Sequence, residues 1–239
     1  MPAALPLPAV PAAASRPVPA RPDGLYAGGL KRACDLVVGL VLLVVLSPLI
    51  LATALLVWLA MGRPVFFLDR RSGRDGMPFT LVKFRSMVPV AKGSMLPVAE
   101  GASDGDRLTP FGRVLRRTSL DELPQLVNVV IGDMSLVGPR PLPERYLPRY
   151  SSREAARLLV RPGLTGWAQI HGRNSVEWPE RLELDVRYVE MLGRWYGPLV
   201  DLWIVARTAV QILVQAVTGR GVSAPGQATM PEYNPDAGR

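Results

Sequence analysis

An apolar run from Leu36 to Met61 restricts the fold of this chain more than any other feature. Lys31 and Arg32 precede it, and Arg63, Arg70, Arg71 and Arg74 follow. The run exceeds the roughly 18 apolar residues that mark a membrane segment and is long for a buried core helix. Ser47 and Pro48 sit in its middle. A proline there has no N–H for the preceding turn, and its ring crowds the carbonyl four residues back, so a helix bends at that point. Basic residues favour the cytoplasmic side of a bilayer, and here they flank both ends. A helix that enters, bends at Ser47–Pro48 and leaves by the same face satisfies both flanks. The expectation is a re-entrant helical hairpin over residues 29–62; a single straight span is the alternative.

Residues 1–28 are dominated at first by Pro and Ala, which disfavour regular structure, and are expected to form a disordered tail. A signal peptide is not indicated, because a basic leading region is missing and prolines interrupt any apolar core. Residues 63–239 are expected to form a membrane-associated domain of α+β class, mainly helical. Pro64–Arg71 and Phe79–Met87 flank the turn residues Gly73–Gly76 and read as a short β-hairpin. In its second strand Phe79, Leu81, Lys83 and Arg85 alternate onto one face, so Lys83 and Arg85 can hold one anion together. A strand edge guarded by charges explains them as well. Residues 88–106 are small and polar and read as a mobile loop, a candidate lid.

A helix is expected to end near Arg117 and another to cover Leu120–Val130, with Pro124 tolerated near its first turn. Ser135–Pro143 is a Gly/Pro loop that presents Arg140 rigidly. Residues 144–160 read as a helix with a basic face. Arg161–Asn174 is rich in turn formers and carries Trp167, Gln169, Arg173 and Asn174. Glu177–Tyr196 is helical in period and carries Asp185 and Tyr188. Leu199–Thr218 is an apolar helix interrupted by Asp201, Arg207 and Gln211, which favours an amphipathic, interface-lying or packed helix over a span.

The net charge of +8 and pI of about 10.2 point to an anionic partner: nucleic acid, acidic lipid or a phosphorylated substrate. Nucleic acid is disfavoured, since the aromatics form no stacking platform. A single cysteine, Cys34, and a single histidine, His171, exclude an intramolecular disulfide and a conventional zinc site. Cys34 is expected to be a small buried residue and His171 to have a local structural role.

The chemistry concentrates at Arg116–Pro124. Asp121 and Glu122 are adjacent carboxylates, which stay ionised together only if cations, a metal or hydrogen bonds offset their repulsion. Arg113, Arg116 and Arg117 precede them, spaced to share a helical face, and Arg140 follows. Arginine forks suit phosphate, and carboxylates beside them suggest Mg²⁺, which fills its shell with phosphate oxygens and water. One carboxylate can hold the metal while the other attacks phosphorus. Taken alone, the stretch fits better as a helix N-terminus, with Thr118 or Ser119 as cap and the acids in the first turn. The rest of the chain reverses that balance.

Seven segments, in order, resemble the bacterial sugar transferase family: Lys31-Arg32 with Asp35, the Ser47-Pro48 break, Lys83–Met87, Leu120–Gln125, Gly138–Pro141, Arg161–Trp167 and Leu184–Val189. The resemblance is to the short form of these monotopic phosphoglycosyltransferases, the catalytic unit alone. It implies transfer of a sugar 1-phosphate from a UDP-sugar to polyprenol (undecaprenyl) phosphate, priming surface polysaccharide or glycoconjugate synthesis. By the same resemblance Asp121 is the nucleophile that expels UMP and Glu122 is the Mg²⁺ ligand. Lys83, Arg85, Arg116 and Arg140 orient phosphates, Asp185 is a further active-site acid, and the loop with Arg173 belongs to the nucleotide-sugar region. The implied location is the cytoplasmic face of the bacterial inner membrane, among its lipids; nucleic acid is not a partner and a homo-oligomer is compatible. Residues 223–233 look like those of members using N-acetylated amino sugars, whereas UDP-glucose or UDP-galactose is the competing donor class. A non-catalytic scaffold gripping anionic lipid is the rival from outside enzymology.

Overall fold

The computed structural model describes residues 17–88, 107–171, 177–218 and 233–234. The candidate lid, apart from Val88, lies outside them, as do Arg173, Asn174 and residues 1–16. Most of the segment 223–233 does too.

The chain is mainly helical, with two small two-stranded sheets. Helix α1 (Lys31–Val45) and helix α2 (Ser47–Met61) meet at Leu46, and the pair bends by 59°. Pro48 cannot donate to the carbonyl of Val44; the hydroxyl of Ser47 donates to it instead, at 2.7 Å. The pair is inverted relative to a soluble amphipathic helix. Lys31, Asp35 and Gly39 of α1 and Thr53 and Val57 of α2 face inward, while Val37, Val41, Val44, Leu51, Leu55 and Leu59 face out. An apolar surface of this extent marks a lipid or partner contact. Cys34 lies on the outward face and is exposed, contrary to the expectation of burial. Its helix packs on the domain through its polar side, which the run of apolar residues around Cys34 conceals.

Both ends of the bent pair are fastened to the same body. At the entry, Lys31 Nζ lies 2.7 Å from Asp201, and Arg32 donates to the carbonyls of Val129 and Val130. At the exit, the guanidinium of Arg85 donates to the carbonyls of Met61, Gly62 and Arg63. Residues 17–28 do not behave as a free tail. Arg21 pairs with Asp75, Arg153 donates to the carbonyl of Pro17, and a π-helical turn at Tyr26–Leu30 leads into α1, with the Tyr26 hydroxyl donating to Asp201 at 2.6 Å.

Strands β1 (Phe66–Ser72) and β2 (Pro78–Phe84) form the expected antiparallel hairpin, in the register Phe67↔Lys83, Asp69↔Leu81 and Arg71↔Phe79. Phe79 and Leu81 pack on Val129 and Met134. Helix α3 (Pro110–Thr118) is capped by Thr109, whose Oγ1 accepts from the Gly112 amide at 2.8 Å. Ser119 ends α3 in the left-handed region, at φ 57, and the Thr118 hydroxyl donates backward to Val114 and Leu115. Neither residue caps the acidic turn with its side chain. The expected helix over Leu120–Val130 is a 3₁₀ turn, Leu120–Glu122, followed by α4 (Gln125–Ile131), because Pro124 supplies no amide to join them.

Strands β3 (Ser135–Val137) and β4 (Gly163–Thr165) pair in parallel. Beside them Gly138 is indispensable: a Cβ there would sit 2.4 Å from the carbonyl of Arg161. The helix expected over 144–160 is broken into 3₁₀ turns at Glu144–Arg149 and Ala156–Leu159 around one α turn, α5 (Ser152–Ala155). Pro148 interrupts the first half, and Ser151 with Glu154 forms a capping box that restarts the chain. Helix α6 (Trp167–Ile170) is one turn; there His171 Nδ1 lies 2.8 Å from the Trp167 carbonyl, the local role expected of it. Helix α7 (Trp178–Leu192) is buried along most of its length. Helix α8 (Gly197–Thr218) turns Asp201 and Ile204 inward and Leu199, Leu202, Val210 and Leu213 outward. Over Gly197–Gln215 it is the one unbroken helix among the described residues that is long and apolar enough to cross a membrane. Tyr233 is buried among Tyr146, Trp178 and Leu182, so the chain returns to the domain near its end.

Candidate active site

The left-handed turn at Ser119 directs the chain back toward the hairpin and drops Asp121 into the interior, where it is 6% exposed. Its surroundings conflict. Burial and the neighbouring charge of Glu122 push its pKa up, while Lys83, Arg116 and Arg140 pull it down; the balance leaves it at about 6. Three cations therefore do not fully offset the cost of an ionised Asp121. Arg140 Nη2 donates to Glu122 Oε1 at 2.7 Å. Arg116, on the last turn of α3, donates from Nε to the hydroxyl of Ser86 at 3.0 Å. Burial and the charge of Arg71 hold Lys83 below the usual ammonium range, with Asp121 acting the other way.

These groups border a narrow cleft lined by Arg71, Leu81, Lys83, Glu122, Gln125, Arg140 and Pro141. A larger hollow of about 330 Å³, lined by Arg74, Asp75, Asp133 and Arg161 among others, shares none of those residues. Among the described residues no three His, Cys, Asp or Glu side chains gather into a metal cage. The carboxylate pair Asp121–Glu122 can hold a hard cation only if that ion draws further oxygens from a substrate or water.

The structure thus brings Lys83, Arg116, Asp121, Glu122 and Arg140 together. Arg85 is in a different position: its fork is spent on the carbonyls that end α2, so it braces the hairpin exit. Asp185 is 1% exposed and accepts from Arg157 at 2.7 and 3.1 Å. Arg157 Nη2 also donates to the carbonyl of Arg140 at 2.5 Å. Asp185 therefore reaches the cleft through Arg157, and its charge acts through space on Arg140 and Arg181. Sequence reasoning missed Arg71, Gln125 and Arg157. The two-residue period of β1 puts Arg71 on the face of Lys83 and was the available signal; for Arg157, whose partner lies 28 residues on, there was none.

The model of the family described as bacterial sugar transferase matches residues 26–215. The chain is 49% identical over 187 residues to a protein of Bacillus subtilis described as an uncharacterized sugar transferase, EpsL, covering 77% of this chain and 88% of that one. It is 41% identical over 191 residues to the UDP-glucose:undecaprenyl-phosphate glucose-1-phosphate transferase of Caulobacter vibrioides, covering 77% and 69%. It is 38% identical over 200 residues to the UDP-N-acetylgalactosamine-undecaprenyl-phosphate N-acetylgalactosaminephosphotransferase of Aeromonas hydrophila, covering 80% of this chain but 45% of that longer one. With the match running from the π-helical turn before α1 into α8, across every residue of the cleft, the chain belongs to the bacterial sugar transferase family.

Proposed function

We propose that this protein moves a sugar 1-phosphate from a UDP-sugar to a polyprenol phosphate through a phosphosugar carried on Asp121. The observation that carries the reading is the Asp121 carboxyl, buried beside a second carboxylate and within the field of three cations. The activities named for the Caulobacter and Aeromonas relatives supply the substrate classes. In the first half-reaction an Asp121 carboxylate oxygen attacks the sugar-linked phosphorus; the phosphorus–oxygen bond to UMP breaks, and UMP leaves with the electron pair. In the second, a phosphate oxygen of the acceptor attacks the same phosphorus, the bond to Asp121 breaks, and the carboxylate returns. The product is polyprenyl diphosphosugar.

Phosphoryl transfer depends on positioning and charge stabilisation more than on covalent help. Lys83 and Arg116 neutralise the donor phosphates. Arg140, held by Glu122 through its side chain and by Arg157 through its carbonyl, keeps a fixed orientation beside them. Burial and the neighbouring Glu122 charge raise the Asp121 carboxyl, which supports a further positive charge beside the pair. Glu122 would hold that charge as Mg²⁺, which when bound neutralises phosphate oxygens.

Purified protein with Mg²⁺, undecaprenyl phosphate and a panel of UDP-sugars is expected to release UMP. Silence with every donor would leave the scaffold reading, to which a buried carboxylate among cations contributes nothing. Because Asp121 attacks as the anion, kcat/KM is expected to rise about tenfold per pH unit in acid and to level off at or below about pH 6, since a cation beside Glu122 favours the ionised form further. A rate that keeps climbing tenfold per unit above about pH 7 would remove Asp121 from the titrating step. An N-acetylated amino sugar is the proposed donor, from the likeness of residues 223–233. UDP-glucose or UDP-galactose is the second reading, favoured by the Caulobacter relative. The panel separates them by rate.

We also read the bent pair as a re-entrant, monotopic anchor on the cytoplasmic face. The ion pair of Arg21 with Asp75 supports this, joining the chain before α1 to the chain after α2, as does the fastening of both ends to one body. Tags at residues 25 and 75 are expected to be labelled from the same side of the membrane. Labelling from opposite sides would favour the straight span.

A further inference from the structure

Strand β1 exposes Phe66, Phe67 and Leu68 in succession, at 44%, 42% and 62%. Side chains alternate along a strand, so Phe66 and Leu68 share one face and Phe67 lies on the other, with Asp69 and Arg71. Phe66 stacks on Phe84, with ring centres 5.3 Å apart, over the core beneath α2. Phe67 instead pairs with Lys83, whose Nζ lies 5.0 Å from the centre of its ring. The same face continues through Leu81 and Arg71 into the cleft with Glu122 and Arg140. Phe67 is thus the last side chain on the reactive face before the chain passes back through Arg63–Pro64 into α2, whose outward residues include Leu55, Trp58 and Leu59. A helix with an outward apolar face, an exposed aromatic ring, a cation and the buried carboxylate follow one another in that order.

We propose that Phe67 and Lys83 together form the entry site for the lipid acceptor, Lys83 taking the phosphate and the Phe67 ring taking the prenyl units next to it. The inference rests on the transferase reading and specifies where its second substrate docks. A cation alone would collect any phosphate, and a ring alone any hydrocarbon. The pair selects a molecule in which a phosphate is joined directly to an apolar chain. The ring stands on the strand that follows α2 directly in the chain. The ammonium now lies over the ring, a contact that an arriving phosphate exchanges for a charge pair while the prenyl chain covers the ring in its place. Lys83 is held below its usual range by burial and by Arg71, so an anion is welcome there.

The full-length protein in detergent tests this with Phe67→Ala, titrating undecaprenyl phosphate at saturating donor. The acceptor KM is expected to rise about tenfold or more, the scale of losing one well-packed apolar contact. The UMP burst with donor alone, one per enzyme, should persist, and Phe67→Leu should recover most of the acceptor affinity. Leu68→Ala removes as much exposed apolar surface from the opposite face and should leave the acceptor KM within twofold. An unchanged KM in Phe67→Ala overturns the proposal, as does a burst that falls in step with turnover. Loss of liposome binding with an unaltered KM also overturns it, assigning Phe67 to ordinary lipid. A parent protein with no donor-alone burst would overturn the covalent transferase reading itself, and the inference with it.

Discussion

Asp121→Asn is expected to abolish turnover and, in the same protein, to raise its melting temperature. If Asp121 carries the phosphosugar, its loss costs about 10⁴-fold or more in rate. The stability change follows from the environment of the carboxyl. Its pKa rises from 3.8 to about 6 on folding, so the folded state holds the proton more tightly than the unfolded chain does. That preference stabilises the fold below about pH 4 and is lost as pH rises through 6. At about 1.4 kcal/mol per unit, the ionised carboxylate costs the metal-free fold about 3 kcal/mol at pH 7, which the neutral amide does not incur. The variant should therefore melt several degrees above the parent at pH 7 without divalent cation, with the gap closing toward pH 4. Thermal scans across that range check it. Equal melting at pH 7 would mean that the three cations fully compensate the carboxylate. UMP release at the parent rate would remove the nucleophile assignment.

The second large effect is expected at Asp185. Its carboxylate and Arg157 are paired at 2.7 Å, with side chains 1% and 2% exposed. Asp185→Asn leaves the Arg157 charge buried without its counter-ion, a loss of about 3–5 kcal/mol. Because Arg157 also holds the carbonyl of Arg140, kcat should fall with it. A double replacement, Arg157→Met with Asp185→Leu, should recover most of the stability, as apolar substitutes for buried pairs commonly do. It should not recover kcat, since Arg157→Met removes the donor to the Arg140 carbonyl. Denaturant titration beside kcat separates the outcomes. Recovery of both would make the pair a packing feature. Loss of turnover by Asp185→Asn with an unchanged midpoint would restore Asp185 as an acid acting directly in the site.

Much of this architecture was legible in neighbouring residues. Pro48 requires a bend wherever the helix lies, and Ser47 stands close enough in the chain to satisfy the carbonyl that proline abandons. Gly73–Gly76 sets the hairpin between two apolar runs, and the adjacency of Asp121 and Glu122 makes their repulsion a property of the chain itself. Where local reading failed, a local signal had been outweighed: Pro148 and the Ser151–Glu154 box break a segment whose periodicity suggested one helix.

Tertiary structure alone decided where the long side chains point. Lys83 and Arg85 lie two residues apart in a strand pattern, yet Lys83 faces Asp121 while Arg85 is drawn to the carbonyls at the end of α2. Asp185 is separated from the cleft by Arg157, and Cys34 is outward because α1 docks through Lys31 and Asp35. Helix period, proline and capping act within a few residues and are written in the sequence. A guanidinium on a flexible stem goes to whichever carbonyl or carboxylate packing brings within about 3 Å, and only the folded chain determines which one that is.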